Sequence, residues 1–489
     1  RLARKRQPQT ATLHAVYFDT ESFALRDAGF GLRVRTENGG FVQTVKSSRG
    51  SDVATRREDK SQVDGFVPDL DAIPDEDLRR QVAKAIRGEV LRPIFSVEMR
   101  RTTVLLTPRR GVEIEAAFDT GTIRTADEKP TSAPISEFEL ELLKGDANDL
   151  FACARELTAG LPLTFFLQSK AERGYGLAID AAEAPVGSTR LTLPKDATAD
   201  DAFGRIVAHC LSQFLGNWSA VMIGRDPEGI HQMRVALRRM RSAFSLFGGS
   251  FRVAMHRLEE EVRWIAEILG HARDLDVFQE DVYRPVAEAH GDDERLLELA
   301  TVVRTRRRIA WAGVFEALES ERFRQLALEL AAATYSKPWL DASIGGTRAV
   351  GPAVDLAVER LAHRHSRALK LGRRIEDLDS SERHRLRIRL KKLRYAVDFF
   401  QSLFKKRAVR KYLKRLSAMQ DELGRMNDAA VARGLVRDIL SEHGDGSAAA
   451  AIGYAGGLVA GWHLGHSRAR AKTLVKEWQR FAKLNPPWE

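Results

Sequence analysis

His231-Gln-Met-Arg-Val-Ala-Leu-Arg-Arg-Met-Arg241 is answered further along the chain by His384-Arg-Leu-Arg-Ile-Arg-Leu-Lys-Lys-Leu-Arg394. In both stretches a histidine leads and cations follow at the third, seventh, eighth and tenth positions after it. At about 100° per residue, His231, Arg234, Arg238 and Arg241 fall within an arc of about 80°, and His384, Arg387, Lys391 and Arg394 fall within the same arc. Beside each cationic stripe runs an apolar one, Met233, Leu237, Met240, Phe244 and Phe247 in the first copy and Leu386, Leu390, Leu393, Val397 and Phe400 in the second. Alternating steps of four and three are the spacing of a helix face turned to a core. Each copy is therefore expected to be a helix with one buried face and an adjoining basic face. Cations crowded on one stripe repel one another, so an anionic, extended partner is expected.

The repeat continues beyond these helices. Leu269-Gly-His-Ala-Arg-Asp274 is matched by Leu423-Gly-Arg-Met-Asn-Asp428. The copies stand 153 residues apart at the histidines and 154 at the glycines. An internal duplication of this period predicts two similar helical bundles. Asp274 and Asp428 are expected to orient arginines or cap turns rather than to meet an anion. From Ser381 to Arg415 the only acids are Glu382 and Asp398 among many Lys and Arg, which favours a binding surface over a merely solvated face.

The first third reads differently. Leu13–Asp19, Gly31–Glu37, Phe41–Ser47, Phe95–Leu106, Gly111–Phe118 and Ile135–Lys144 show period-two alternation or β-rich composition. Turns are expected at Asn38-Gly-Gly40, Pro108-Arg-Arg-Gly111 and Asp119-Thr-Gly121, and helices near Pro74–Ile86 and Asp146–Ala159. The polar faces of these strands are charged: Arg33 and Arg35 share a face, as do Glu113 and Glu115, and Glu137, Glu139 and Glu141. Both signs gathered on interleaved strands suit a closed barrel with a polar interior. Residues 181–200, with Pro185, Gly187 and Pro194, read as a linker, after which Asp200 or Asp201 is placed to cap the first helix of the repeat region.

The chain has 489 residues and a net charge of +11, which favours an acidic partner. Its two cysteines, Cys153 and Cys210, are far apart and in no metal-binding spacing, which argues against disulfides and structural zinc and fits a reducing cytoplasm. Arg1 is not a start methionine, so residues are expected upstream. The apolar run Ala448–Trp462 is short for a membrane span and rich in Ala and Gly, so it is expected to be a closely packed helix.

The duplicated motifs resemble the CHAD domain over about Ala202–Lys483. The first third resembles the CYTH domain of the triphosphate tunnel metalloenzymes, through Tyr17-Phe-Asp-Thr20, Leu32-Arg-Val-Arg35, Gln43-Thr-Val-Lys46, Glu137-Phe-Glu-Leu-Glu141 followed by Lys144-Gly145, and Ser169-Lys-Ala-Glu-Arg-Gly-Tyr175. Together they resemble CYTH–CHAD fusion proteins, among which are inorganic triphosphatases. For the second domain the resemblance implies two pseudo-symmetric helical bundles binding inorganic polyphosphate in a basic groove through His231, Arg234, Arg238, Arg241, His384, Arg387, Lys391 and Arg394. The basic stripes interleave no aromatics on the same arc, unlike a platform for single-stranded nucleic acid. For the first domain it implies a tunnel of eight antiparallel strands. There Arg33, Arg35, Lys46, Arg101 and Lys170 would hold a triphosphate. Glu137, Glu139 and Glu141 would hold Mg²⁺ or Mn²⁺, with Glu58, Glu115 and Asp119 as supporting, candidate catalytic carboxylates. Two features depart from the family pattern: no Glu-x-Glu-x-Lys triplet precedes Tyr17, and Lys60, closing Arg56-Arg-Glu-Asp-Lys60, stands where the pattern carries an acid.

The expected fold is thus α+β in two domains, a CYTH-like antiparallel barrel over 1–180 and an all-α CHAD domain of two bundles over 201–483. The expected function is polyphosphate binding by the second domain and binding, with metal-dependent hydrolysis, of triphosphate by the first, in the cytoplasm or at polyphosphate granules and without a membrane. The rival readings are a non-catalytic polyphosphate binder with a degenerate barrel, and a nucleic-acid binder.

Overall fold

The structure, a computed structural model, describes residues 3–4, 7–37, 39–47, 57–166, 168–181, 183–291, 293–344, 350–425, 428–443 and 446–489, with backbone alone for 3–4, 57, 425, 428–432, 443 and 466–471. The chain divides into two compact units, Arg1–Ala184 and Pro185–Glu489.

The first unit is built on one antiparallel sheet. Its strands are β1 (Ala3–Arg4), β2 (Gln9–Asp19), β3 (Phe30–Glu37), β4 (Gly40–Ser47), β5 (Arg57–Val63), β6 (Arg92–Thr107), β7 (Glu113–Thr125) and β8 (Ser132–Lys144). They run in the order β5-β4-β3-β2-β6-β7-β8, with β1 beside the far end of β6. Among the described strands, the expected barrel is realised as a sheet whose ends are β5 and β8.

Side chains opposite one another in register share a face. Arg33 lies opposite Tyr17 and Thr44, Tyr17 opposite Phe95, and Lys46 opposite Glu58. Arg101 lies opposite Asp119, and Asp119 opposite Glu137. One face, here the inner face, therefore gathers charged residues from β3, β4, β5, β6, β7 and β8.

The outer face carries two apolar patches, each covered by a helix. Leu78, Val82 and Ile86 of α1 (Glu76–Ile86) pack on Leu32, Val34 and Val45. Cys153 of α2 (Ala147–Thr158) packs on Leu106, Ile114 and Ala116. A third helix, α3 (Lys170–Ala178), lies on the inner face. Its Tyr175 meets Phe95 edge-on at 5.2 Å, and Phe95 stacks on Tyr17 at 4.4 Å. Gly174 permits that approach, since a Cβ there would stand 2.2 Å from the Phe95 ring.

One sequence reading fails here for an identifiable reason. Asp119-Thr-Gly121 is no turn but the middle of β7. Gly121 is present because β6 runs so close that a Cβ would fall 2.1 Å from the Glu98 carbonyl oxygen. The motif Tyr17-Phe-Asp-Thr20 proves partly architectural. Asp19 is fully buried and accepts from the backbone N–H groups of Thr20, Leu25 and Arg26 at 2.7, 2.8 and 3.0 Å, fixing the corner after β2.

The second unit is helical. Its longer helices are α4 (Ala199–Gly216), α5 (Pro227–Phe247), α6 (His256–Val277), α7 (Glu294–Glu319), α8 (Glu321–Ser336), α9 (Ala353–Gly372), α10 (Ser380–Phe400), α11 (Lys406–Arg425), α12 (Asp428–His443) and α13 (Ser447–Ala482). Helices α4 and α5 recur as α9 and α10 at the spacing of the repeat. Both predicted apolar stripes are core: Met233, Leu237, Met240, Phe244 and Phe247, and Leu386, Leu390, Leu393, Val397 and Phe400, are all buried.

The cap of α4 is Thr198, whose hydroxyl accepts from the Asp201 N–H, and not Asp200 or Asp201. Asp200 is instead buried against Trp339 Nε1 and Lys337 Nζ, both at 2.6 Å. The stretch before α4 is pinned to this unit by buried Leu193, whose backbone N–H and C=O both engage Ser402 Oγ. The apolar run at 448–462 lies within α13, and among the described residues no helix is long and apolar enough to cross a membrane.

Candidate phosphate-binding sites

On the inner face of the sheet, three carboxylates and three cations interlock. The guanidinium of Arg101 on β6 donates to both oxygens of Asp119 on β7, at 2.8 and 2.6 Å, and to Glu139 on β8 at 2.6 Å. Lys170 Nζ reaches Asp119, Glu137 and Glu139 at 2.9, 2.6 and 2.7 Å. Arg173 pairs with Glu137 and donates to the Pro134 carbonyl.

Local sequence explains why Lys170 arrives there. Ser169 and Glu172 form a reciprocal capping box that fixes the start of α3, placing Lys170 in its first turn and Arg173 on the same side. Burial alone would lift the Asp119 carboxyl, but hydrogen bonds from Arg101 and Lys170 overcome it and hold the group below the usual carboxylate range. Burial likewise works against the Lys170 charge, and its three carboxylate partners raise its pKa nonetheless.

Asp119, Glu137 and Glu139 each offer an oxygen within 4.8 Å of the others, a possible acidic metal-binding cluster. Glu141 stands apart from this cluster, opposite Glu115 in register. A second group gathers on β3, β4 and β5, where Glu58 meets Lys46 at 3.2 Å and Arg33 at 3.5 Å. Burial opposes the Glu58 charge, but Lys46 and Arg33 bring its pKa down. Arg35 is held by Glu37 at 2.6 Å. Lys60 lies on the same inner face, opposite Thr44. Arg56 lies outside the described residues.

The helical unit brings the two cationic stripes together. Arg238 Nε of α5 donates to the Tyr395 hydroxyl of α10 at 2.5 Å, and its guanidinium lies 5.6 Å from that ring's centroid. Next to this contact, burial pushes the Lys391 ammonium down to about 7, assisted by Arg238, Arg387, Arg234 and Arg394. The first repeat supplies Arg234 and Arg238, the second Arg387 and Arg394.

His231 is half-buried and its pKa is lowered, first by burial and then by Arg273, with Arg238 and Arg234 adding to the effect against Glu228. His384 is exposed at the matching position of α10. Arg234 clasps α6, donating to the Gly270 carbonyl and to Asp274 Oδ1, the latter at 3.1 Å. Arg394 donates to Gln420 Oε1 at 3.2 Å. Arg241 departs from the expected stripe: it is exposed and acts on Lys392 together with Arg364, Arg367 and Arg252.

The Asp428 side chain lies outside the described residues. Arg173, Arg273, Tyr395 and Gln420 were not singled out from sequence. Two signals were available: Arg173 follows Lys170 by one helical turn, and Tyr395 adjoins Arg394.

Comparison with known proteins agrees with this architecture. Residues 2–175 match the CYTH domain family and residues 205–437 the CHAD domain family. The crystal structure of the CHAD domain from the plant Ricinus communis is 33% identical, with a TM-score of 0.53, covering 62% of this chain and 98% of that one. An uncharacterized protein of Mycobacterium tuberculosis is 26% identical over 427 residues, 81% of this chain and 77% of its own length. An inorganic triphosphatase of Haemophilus influenzae is 29% identical over 168 residues, 34% of this chain and 46% of its own length. The chain belongs to the CYTH–CHAD fusion proteins.

Proposed function

We propose that the helical domain binds inorganic polyphosphate in a groove centred on Lys391, and that the CYTH domain binds and hydrolyses inorganic triphosphate. The observation that carries the first part is the meeting of Arg234, Arg238, Arg387 and Arg394 around Lys391. Cations do not crowd a partly buried lysine without cost, and a bound anion removes that cost. Polyphosphate carries charge along its whole length and offers no bases, which suits guanidinium forks and ammonium groups without stacking partners.

For the first domain, the balanced cluster of three cations and three carboxylates supports the reading. Arg101, Lys170 and Arg173 would turn from the carboxylates to the phosphates, while Asp119, Glu137 and Glu139 would hold Mg²⁺ or Mn²⁺ through hard oxygen donors. The bound cation would neutralise charge on the phosphoryl oxygens and make the attacking water more acidic. Arg33 and Lys46 would take the other end of the substrate, with Glu58 orienting both. Glu115 and Glu141 would lend a further carboxylate pair on the same face. The two cysteines are free and buried, in keeping with a reducing, cytoplasmic setting in which polyphosphate granules occur.

Phosphate release from tripolyphosphate by the full chain, with and without Mg²⁺ or Mn²⁺, tests the enzyme reading. Metal-dependent release supports it. Binding without release leaves a polyphosphate-binding protein with a non-catalytic CYTH domain. Displacement of polyphosphate by duplex DNA or RNA at equal phosphate concentration would move the ligand to nucleic acid.

A further inference from the structure

The groove at Lys391 uses one flank of α10. The opposite flank is also cationic. Arg385, Arg389 and Lys392 there face Arg360, Arg364 and Arg367 of α9 across a cavity of about 360 Å³, closed at one side by the end of α5. On α10 the two cationic arcs are centred about 150° apart, with the apolar stripe filling the third side.

This second cluster is not inherited from the duplicated framework. At the repeat spacing, Arg360, His363, Arg364 and Arg367 correspond to Val207, Cys210, Leu211 and Phe214 of α4, all buried and apolar. Arg389 corresponds to buried Ala236. In the first repeat this face is sealed by α8, whose Phe323 meets Phe214 edge-on at 5.7 Å. In the second repeat the same face opens on the cavity and has exchanged apolar residues for cations. Core positions do not exchange five apolar residues for four arginines and a histidine for packing reasons.

The cations are held in place rather than left loose. Arg364 donates to the Lys392 carbonyl at 2.7 Å, to Ser242 Oγ at 3.2 Å and to the Ser242 carbonyl at 3.3 Å. Arg389 donates to the Arg367 carbonyl at 2.7 Å. Acids approach only Arg360 and Arg385 among these described cations, Glu359 at 3.7 Å and Glu382 at 3.6 Å. Burial, aided by Arg360, lowers the Arg364 guanidinium to about 10. Among the described residues no Phe, Tyr or Trp lines the cavity, and His363 is its one ring, so cations far outnumber stacking groups. Its size falls near the small end of ligand sites, roughly 300–1,000 Å³.

We propose that this cavity is a second phosphate-binding site, separate from the groove at Lys391, that takes a compact run of phosphates such as tripolyphosphate. The site goes beyond the groove reading and stands on different residues, so either can fail alone.

Site-resolved protection tests it. The full chain is treated with a limiting amine-acetylating reagent, with and without tripolyphosphate, and modification of Lys391 and Lys392 is read by peptide mass spectrometry. Sodium sulfate at matched ionic strength is the control. Tripolyphosphate should lower Lys392 modification several-fold in the native chain and equally in Arg238→Glu/Arg387→Glu, which spoils the groove. Arg367→Glu/Arg385→Glu, both at exposed positions, should abolish that protection and leave Lys391 protection in place. If that pair lowers helix content, Arg367→Gln/Arg385→Gln carries the same reading.

The proposal is overturned if tripolyphosphate leaves Lys392 unprotected, or if sulfate protects it as well. It is also overturned if protection vanishes in the groove variant. Protection of Lys391 and Lys392 together by long polyphosphate, with none by tripolyphosphate, would make the cavity one stretch of a longer track and would overturn the compact-ligand assignment too.

Discussion

Arg238 donates to the Tyr395 hydroxyl at 2.5 Å, and through this contact the motif helix of one repeat is fastened to the motif helix of the other. The same guanidinium also lies against the ring, 5.6 Å from its centroid. Tyr395→Phe removes the hydrogen bond and keeps the ring. A loss of about 1–2 kcal/mol is expected, read as a lower denaturation midpoint with the slope unchanged, because the donor is charged and partly buried. Tyr395→Ala should cost more, since the ring and its buried area go too.

Lys391 should make the free protein less stable than it could be. Its pKa is 10.5 when unperturbed and about 7 here, so between those values the unfolded chain binds more protons than the folded one. Stability from this group therefore rises as pH increases from about 7 toward 10.5. Lys391→Met should raise the melting temperature at neutral pH and flatten that pH dependence, while weakening polyphosphate binding. In the native chain, binding above pH 7 should take up protons, which calorimetry in buffers of different ionisation enthalpy would measure.

The inner-face cluster should be indispensable to turnover and also structural. Asp119 is fully buried with Arg101 and Lys170 as its partners. Asp119→Asn and Lys170→Met are each expected to lower metal-dependent phosphate release by about 100-fold or more. Arg101→Met should in addition destabilise the CYTH domain by ~3 kcal/mol, because it leaves a buried carboxylate under-compensated. Thermal unfolding beside a phosphate-release assay separates the two effects.

Gly121→Val tests the architecture of the sheet. The new Cβ would meet the Glu98 carbonyl oxygen at 2.1 Å and Met99 Cα at 2.6 Å. The β6–β7 pairing must shift, at a cost of about 3 kcal/mol or more. Arg101 and Asp119 face each other across that same pairing, so the proposed triphosphatase activity should fall with stability.

Much of this molecule is legible in its sequence because periodicity reports faces. The apolar stripes of α5 and α10 are core as read, and the charged alternation of β3, β7 and β8 gathers on one face as read. What escaped depends on contacts between elements. Gly121 looks like a turn until β6 is seen passing over it. Lys170 reads as one basic residue in a motif, and only the fold brings it to three carboxylates. Arg241 falls on the correct arc of its helix, yet in the structure it works beside Lys392. A helical wheel gives the direction of a side chain but not its neighbour. The cavity between α9 and α10 was hidden for a related reason. Its cations are spread over two helices, and their meaning emerges only when the apolar residues at the same places in the first repeat are set beside them.

The shared groove is tested most directly by the affinity of long-chain polyphosphate for the native chain, for Arg238→Glu and for Arg387→Glu, measured at one fixed salt concentration because such contacts are salt-dependent. One groove built from both repeats requires each single variant to weaken the tight binding event at least about tenfold, whichever repeat is altered. Native affinity in either variant would contradict it.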